Sequence, residues 1–268
     1  GIYPLRLKLI IQIPCYNEAE TLPIALKELP KKLDGIDTVE WLIVDDGSSD
    51  NTAEIARQCG VTHIIRHNTN RGLARAFMTG LHAALERGAD IIVNTDADNQ
   101  YNAADIPALI APILKGEAQY VIGARPISGI EHFSPLKKML QKLGSRVVRA
   151  ISGTNVADAP SGFRAITRDA ALQLNVFSNY TYTLETIIQA GQSKMAVASV
   201  PIRTNPETRP SRLFSSMWRY MKRSASVIIR STAMYRPLHF FGVLGTILFL
   251  LGVAVGVRFL VYFCMGGG

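Results

Sequence analysis

The chain has 268 residues, 48% of them hydrophobic, with a formal net charge of +8 and a mean hydropathy of +0.15. That length holds one large domain or two small ones around a substantial core, and the hydropathy is slightly high for a wholly soluble protein. The three cysteines, Cys15, Cys59 and Cys264, are odd in number and unrelated in spacing, which excludes a disulfide framework and fits a reducing compartment.

Leu7 to Ile13 reads as a first strand ended by Pro14. It is too short for the apolar stretch of a signal peptide and runs into polar residues. Thr21 to Lys32 carries Leu22, Ala25, Leu26 and Leu29 at helical spacing, with Pro23 tolerated in the first turn. Val39 to Val44 is a second strand, apolar enough to be buried on both faces. Asp50 or Asn51 can cap a helix to about Cys59, and His63 to Arg66 gives a third strand. Gly72 to Glu86 is a helix with Gly88 placed to end it. Ile91 to Thr95 is a fourth strand, Ala104 to Lys115 a helix, and Tyr120 to Gly123 a fifth strand. Strands alternating with helices in this rhythm give an α/β fold, a mostly parallel sheet with helices on both faces.

Such a sheet binds its ligand beyond the carboxyl ends of its strands. Those ends are Pro14 to Glu18, Asp45 to Asp50, Asn68 to Gly72 and Asp96 to Gln100, all polar. The Gly-x-Gly-x-x-Gly turn of a dinucleotide fold is missing after the first strand, which argues against a nicotinamide dehydrogenase. At the fourth end, alternate side chains of an extended segment point one way, so Asp96, Asp98 and Gln100 share a face. Two carboxylates and an amide oxygen form a hard-oxygen set suited to Mg²⁺ or Mn²⁺ holding phosphates. On spacing alone, an acidic turn after a buried strand explains them equally well. The five histidines have no metal-ligand spacing, and Cys15 lacks a neighbouring base.

Together the four loops resemble those of family-2 glycosyltransferases of GT-A (Rossmann-like) fold. The motifs are Ile13-Pro-Cys-Tyr-Asn-Glu18, Asp45-Asp-Gly-Ser-Ser-Asp-Asn-Thr52, Asn70-Arg-Gly-Leu-Ala74 and Asp96-Ala-Asp98. Gln100 and the later Ser161-Gly-Phe-Arg164 bring the resemblance nearest to the polyprenyl-phosphate transferases, over about Ile10 to Leu213. It implies that Pro14, Tyr16 and Glu18 contact the base and ribose of a nucleotide-sugar, with Asp46 beside them. Asp96, Asp98 and Gln100 would bind the metal and diphosphate, and Arg125 would face the phosphates. Arg209 and Arg212 would close over the site, although Arg212 stands where relatives often carry Lys and Pro210 where they carry Gly. Lys138, Ser161 and Arg164 join Arg125 as candidates for the acceptor phosphate, while a Ser-Gly turn before a strand accounts for Ser161 nearly as well. Asp158 reads as bracing that turn. Glu185 matches a family carboxylate and could orient the acceptor; a helix-face Glu paired with an arginine is the competing explanation.

The apolar excess concentrates between Leu238 and Met265, and the run to Val257 has no formally charged residue, about the length that crosses a hydrocarbon core. Just before it, Arg203, Arg209, Arg212, Arg219, Lys222, Arg223, Arg230 and Arg236 face Glu207 alone, which places the N-terminal bulk on the cytoplasmic side. Pro135 to Ile151 and Arg212 to Thr232 read as basic amphipathic helices suited to a headgroup interface. The expected organisation is a cytosolic catalytic domain over 1–211, a juxtamembrane helix over 212–236 and a spanning segment over 237–268, on the cytoplasmic or endoplasmic reticulum membrane. The closing glycines read as a loop toward a second span. Gly252-Val-Ala-Val-Gly256 has the spacing of close helix contacts and would support a homo-oligomer.

These readings converge on a metal-dependent inverting transfer of a sugar from a nucleotide-sugar (GDP-mannose or a UDP-hexose) to a dolichyl or undecaprenyl phosphate. A processive polysaccharide synthase would carry Gln-x-x-Arg-Trp, which does not occur. A silent membrane adaptor on the same fold is the alternative from another class. Nucleic-acid binding would need basic residues interleaved with aromatics on the soluble part; they cluster beside the span instead.

Overall fold

The computed structural model describes residues 6–126, 135–177, 182–206, 217–235 and 237–266. Its centre is a seven-stranded sheet in the order β3-β2-β1-β4-β6-β5-β7. These are β1 (Lys8–Cys15), β2 (Thr38–Asp45), β3 (His63–Arg66), β4 (Ile91–Asn94), β5 (Tyr120–Ala124), β6 (Arg164–Thr167) and β7 (Val197–Pro201). All neighbours are parallel except β6, which runs antiparallel to both β4 and β5.

Alternation along the strands divides the core in two. Leu9, Ile11 and Ile13 of β1, with Ile43, Ile91 and Val93, pack under α1 (Leu22–Glu28), α2 (Thr52–Gln58) and α4 (Ile106–Leu114). Ile10, Leu42, Val44 and Ile92 face α3 (Leu73–Glu86), α5 (Pro135–Ser152), α6 (Arg168–Gln173) and α7 (Thr183–Gln192) on the other side. Helices α5 and α7 meet so closely that a Cβ on Gly191 would lie 1.9 Å from the Ser152 carbonyl oxygen. Along α7 runs α8 (Met217–Tyr235), which leads to α9 (Pro237–Cys264). α9 is long and apolar enough to cross a membrane, and none of its residues is buried.

Three boundaries depart from expectation for identifiable reasons. β1 does not stop before Pro14 but passes through it to Cys15. Gln12 accepts from Thr95 on the β4 side, so Pro14, two residues on, turns the same way. The β1–β4 ladder ends at Gln12 and Asn94, and the missing N–H therefore costs no ladder bond. α1 ends at Glu28, short of Lys32, because Leu29 precedes Pro30 and takes an extended conformation. The expected helix from Ala104 begins as a 3₁₀ turn, Ala103–Asp105, capped by the Asn102 side chain. At the edge of the sheet away from the polar strand ends, α2 and α3 are closed by Gly60 and Gly88, at φ +77° and +76°, where a Cβ would meet nothing within 4 Å.

Candidate active site

The carboxyl ends of β1, β2 and β4 bring their loops together, and the loops are tied to one another. Asn17, at φ 54°, accepts from the Ser49 N–H (2.8 Å), while its own N–H donates to Ser48 Oγ (2.9 Å). The Glu18 N–H donates to Thr52 Oγ1 (3.0 Å) and its carboxylate accepts from Thr21 Oγ1 (2.7 Å). Tyr16 remains 41% exposed at the mouth. Pro14 lies buried within the strand.

Asp46 is tied to its own chain. Its Oδ1 receives His67 Nδ1 (2.7 Å) and the Arg71 N–H (2.9 Å), and Oδ2 receives the Gly72 N–H (2.8 Å). Asp46 is buried and spends its lone pairs fixing the loop between β3 and α3. The same loop explains Gly47, at φ +73°: a Cβ there would fall 2.6 Å from the Thr69 carbonyl carbon.

The loop after β4 behaves differently. Asp96, Asp98 and Gln100 are partly accessible, whereas the intervening Ala97 and Asn99 are buried, so the three polar groups do share a face. They do so through a turn and not a strand: Asn99 is left-handed at φ 57°, and the Gln100 N–H donates to Asp98 Oδ1 (3.1 Å). Burial pushes the Asp96 carboxyl up to about 7; Asp98 adds to the rise, Arg125 opposes it, and Glu18 and Arg164 act in those same two senses. Burial first, and the neighbouring Asp98 second, thus hold Asp96 against ionising. Among the described residues no group of three His, Cys, Asp or Glu side chains forms a closed cage.

Behind Asp96 stands a buried polar assembly. Gly162 approaches so closely that a Cβ would lie 3.0 Å from both Asp96 carboxylate oxygens. The Gly162 N–H donates to the Tyr101 hydroxyl (2.8 Å), and its carbonyl accepts from Asn94 Nδ2 (2.8 Å). Asn94 also donates to the Tyr182 hydroxyl (2.9 Å) and accepts from Gln12 Nε2 (2.9 Å). Sequence reasoning passed over Gln12, Asn94, Tyr101 and Tyr182. The one available signal was the glycine of Ser161-Gly-Phe-Arg164.

Arg125 is buried beside Asp96, its Nε and Nη2 on Asp158 at 2.7 and 3.0 Å, with its backbone N–H on the same carboxylate. Burial disfavours its charge, but Asp158 and Tyr101 outweigh that and hold the guanidinium cationic. Asp158 therefore grips an arginine as well as bracing a turn. Arg164 belongs to the interior and not to an acceptor site. It is fully buried, donating to the Ser161 carbonyl (2.7 Å), the Ala159 carbonyl (2.8 Å), Thr186 Oγ1 (2.8 Å) and the Tyr120 hydroxyl. Ser161 is likewise enclosed, its Oγ accepting from the Phe163 N–H (3.3 Å) as the turn reading requires. Glu185 is buried on α7 and accepts from the Phe177 N–H (3.0 Å), a contact that shapes the preceding loop. Lys138 lies in α5, Arg209 and Arg212 fall outside the described residues, and so do most of the residues leading into α8.

The α/β sheet carries the polar loops at the carboxyl ends of its strands, and residues 10–174 match Glycosyl transferase family 2. The chain belongs to that family and is a glycosyltransferase. It is 33% identical to a UDP-N-acetylglucosamine–dolichyl-phosphate N-acetylglucosaminyltransferase of Methanococcus voltae, covering 72% of this chain and 83% of the relative. It is 29% identical to an undecaprenyl-phosphate mannosyltransferase of Micrococcus luteus, over 73% and 83% of the two chains. Among solved structures, glucosyl-3-phosphoglycerate synthase of Mycobacterium tuberculosis, crystallised with Mn²⁺, UDP and its product, superposes at TM-score 0.66 with 22% identity, covering 86% of this chain and 80% of that one. At that identity the likeness carries the fold alone.

Proposed function

We propose that the protein transfers a hexose or N-acetylhexosamine from a nucleotide-sugar to a polyprenyl phosphate at the membrane surface, with a divalent cation and with inversion at the anomeric carbon. The observation that carries this reading is the partly accessible row Asp96, Asp98 and Gln100, which alternates with buried Ala97, Asn99 and Tyr101. The two relatives named for dolichyl and undecaprenyl phosphate acceptors support the lipid class. So does α9, apolar and unburied, directly after the basic helix α8.

In this reading Asp96, Asp98 and Gln100 hold Mg²⁺ or Mn²⁺ against the donor diphosphate. When bound, the cation neutralises charge building on the departing nucleoside diphosphate. An acceptor phosphate oxygen is already ionised at neutral pH, so no protein base is required. The obstacle is electrostatic: two unit negative charges about 6 Å apart repel by roughly 3 kcal/mol at an effective dielectric of ~20. Arg125, kept cationic and held by Asp158, offsets part of that repulsion from the protein side. Tyr16 and Glu18 border the nucleotide end. Lys138, Arg209 and Arg212 are the further cations we assign to phosphate contact. The body faces the cytoplasm, with α9 as its anchor.

The test is a donor panel (GDP-mannose, UDP-glucose and UDP-N-acetylglucosamine) with Mn²⁺ and undecaprenyl or dolichyl phosphate, monitored by nucleotide release and by glycolipid extraction. Glycolipid from one donor, abolished by EDTA and restored by Mn²⁺, is the expected result. Nucleotide release that persists in EDTA, or that never gives a lipid product, would overturn the reading.

A further inference from the structure

The strand leaving the far edge of the sheet is sewn onto the acidic turn. Past β7, the Asn205 N–H donates to the Gln100 carbonyl (2.9 Å), the Asn102 N–H reaches the Arg203 carbonyl (3.4 Å), and Tyr101 pairs with Thr204 as an isolated antiparallel bridge. Arg203 fixes this segment from below, its Nε and Nη2 on Asp105 Oδ1 at 3.0 and 2.6 Å.

The side chain of Asn205 adds a second set of contacts. Its Nδ2 donates to the Asn99 carbonyl (3.0 Å), with the Tyr101 carbonyl at 3.4 Å and Glu28 Oε2 at 3.3 Å. The other Glu28 oxygen accepts from Asn99 Nδ2 (3.3 Å). Asn99 is thus held at its carbonyl by Asn205 and at its side chain by Glu28. It is also the left-handed residue between Asp98 and Gln100, in a conformation that L-residues adopt rarely and that surrounding contacts must enforce. With a right-handed Asn99 the chain direction changes there, and Asp98 and Gln100 no longer present themselves to one point.

We infer that Asn205 is a positioning residue that keeps the Asp96–Gln100 turn in its cation-receiving shape, so that metal affinity depends on a side chain outside the ligand set. The inference rests on the metal-dependent reading above and deepens it. Groups that orient ligands from behind typically change metal affinity 10- to 100-fold when removed.

The experiment uses the full chain in detergent and follows free Mn²⁺ by electron paramagnetic resonance, with UDP or GDP present and no acceptor, so that no turnover is needed. Asn205→Ala is expected to weaken Mn²⁺ binding about 10- to 100-fold. It should also raise the Mn²⁺ concentration for half-maximal rate, with kcat recovering at saturating Mn²⁺. Glu28→Gln, at an exposed position that does not threaten folding, should shift affinity the same way by less. Wild-type affinity in both variants overturns the inference, even where Asn205→Ala lowers the melting temperature. Wild-type protein that binds no Mn²⁺ with either nucleotide instead overturns the metal-dependent reading itself.

Discussion

Two acidic loops project from the same edge of the sheet, Asp45-Asp46 after β2 and Asp96-x-Asp98 after β4, and they are used in opposite ways. Asp45 receives the Ser48 N–H on Oδ1 (2.9 Å), while its buried Oδ2 makes no hydrogen bond and lies 3.3 Å from Arg66 Nε; Asp46 receives three donors, from His67, Arg71 and Gly72. Both are closed off from solvent. The β4 pair keeps partial access and crowds its charge. Asp46, reached by three protein donors, serves as architecture, whereas the β4 pair keeps the access that an arriving group needs.

The largest effect expected from this contrast is on catalysis. Asp98→Ala should lower glycolipid formation by about a thousandfold or more, as for loss of a group that stabilises a departing diphosphate. Its metal-free melting temperature should stay level or rise, since a repulsion with Asp96 is removed. A variant that loses stability in step with activity would erase the distinction between the loops.

Asp46→Ala should act mainly on folding. It strips partners from buried His67 and from two backbone N–H groups, at a cost of about 3 kcal/mol. Denaturant unfolding should move its midpoint accordingly, and an unchanged midpoint would mean that Asp46 is not architectural.

The smallest effect sharpens the other side. With its carboxyl raised to about 7, Asp96 binds its proton more tightly folded than unfolded. Metal-free stability should therefore fall as pH rises from about 4, where the unfolded chain ionises, to about 7, and level off above. Asp96→Asn should flatten that decline and be more stable than wild type at pH 8. Chemical denaturation at pH 5 and pH 8 in EDTA would measure it; parallel pH profiles for the two proteins would refute it.

Much of the fold was legible because β1 to β4 are short apolar runs between helices with a regular apolar stripe. β6 was harder to read, since Arg164 at its head is a charged residue that only tertiary contacts make compatible with a sheet interior. β7 is short and half-buried up to its exposed last residue, so it has neither strong alternation nor a long apolar run. The alternating exposure of Asp96, Asp98 and Gln100 agrees with period-two spacing, although the backbone achieves it by a left-handed turn. The capture of Asp46 and the enclosure of Arg164 were not legible. Both depend on loops closing across tens of residues, and a motif written along the chain does not say which of its members face inward.

The vacant surroundings of Gly60 and Gly88 have a practical consequence. These turns close the sheet at the end remote from the chemistry, with open space where a side chain would begin. Replacing either glycine would strain the backbone, but lengthening the chain beside it should not. A fluorophore-bearing loop or a small fiducial domain spliced there would make the enzyme visible to single-molecule or electron-microscopic methods while leaving turnover untouched.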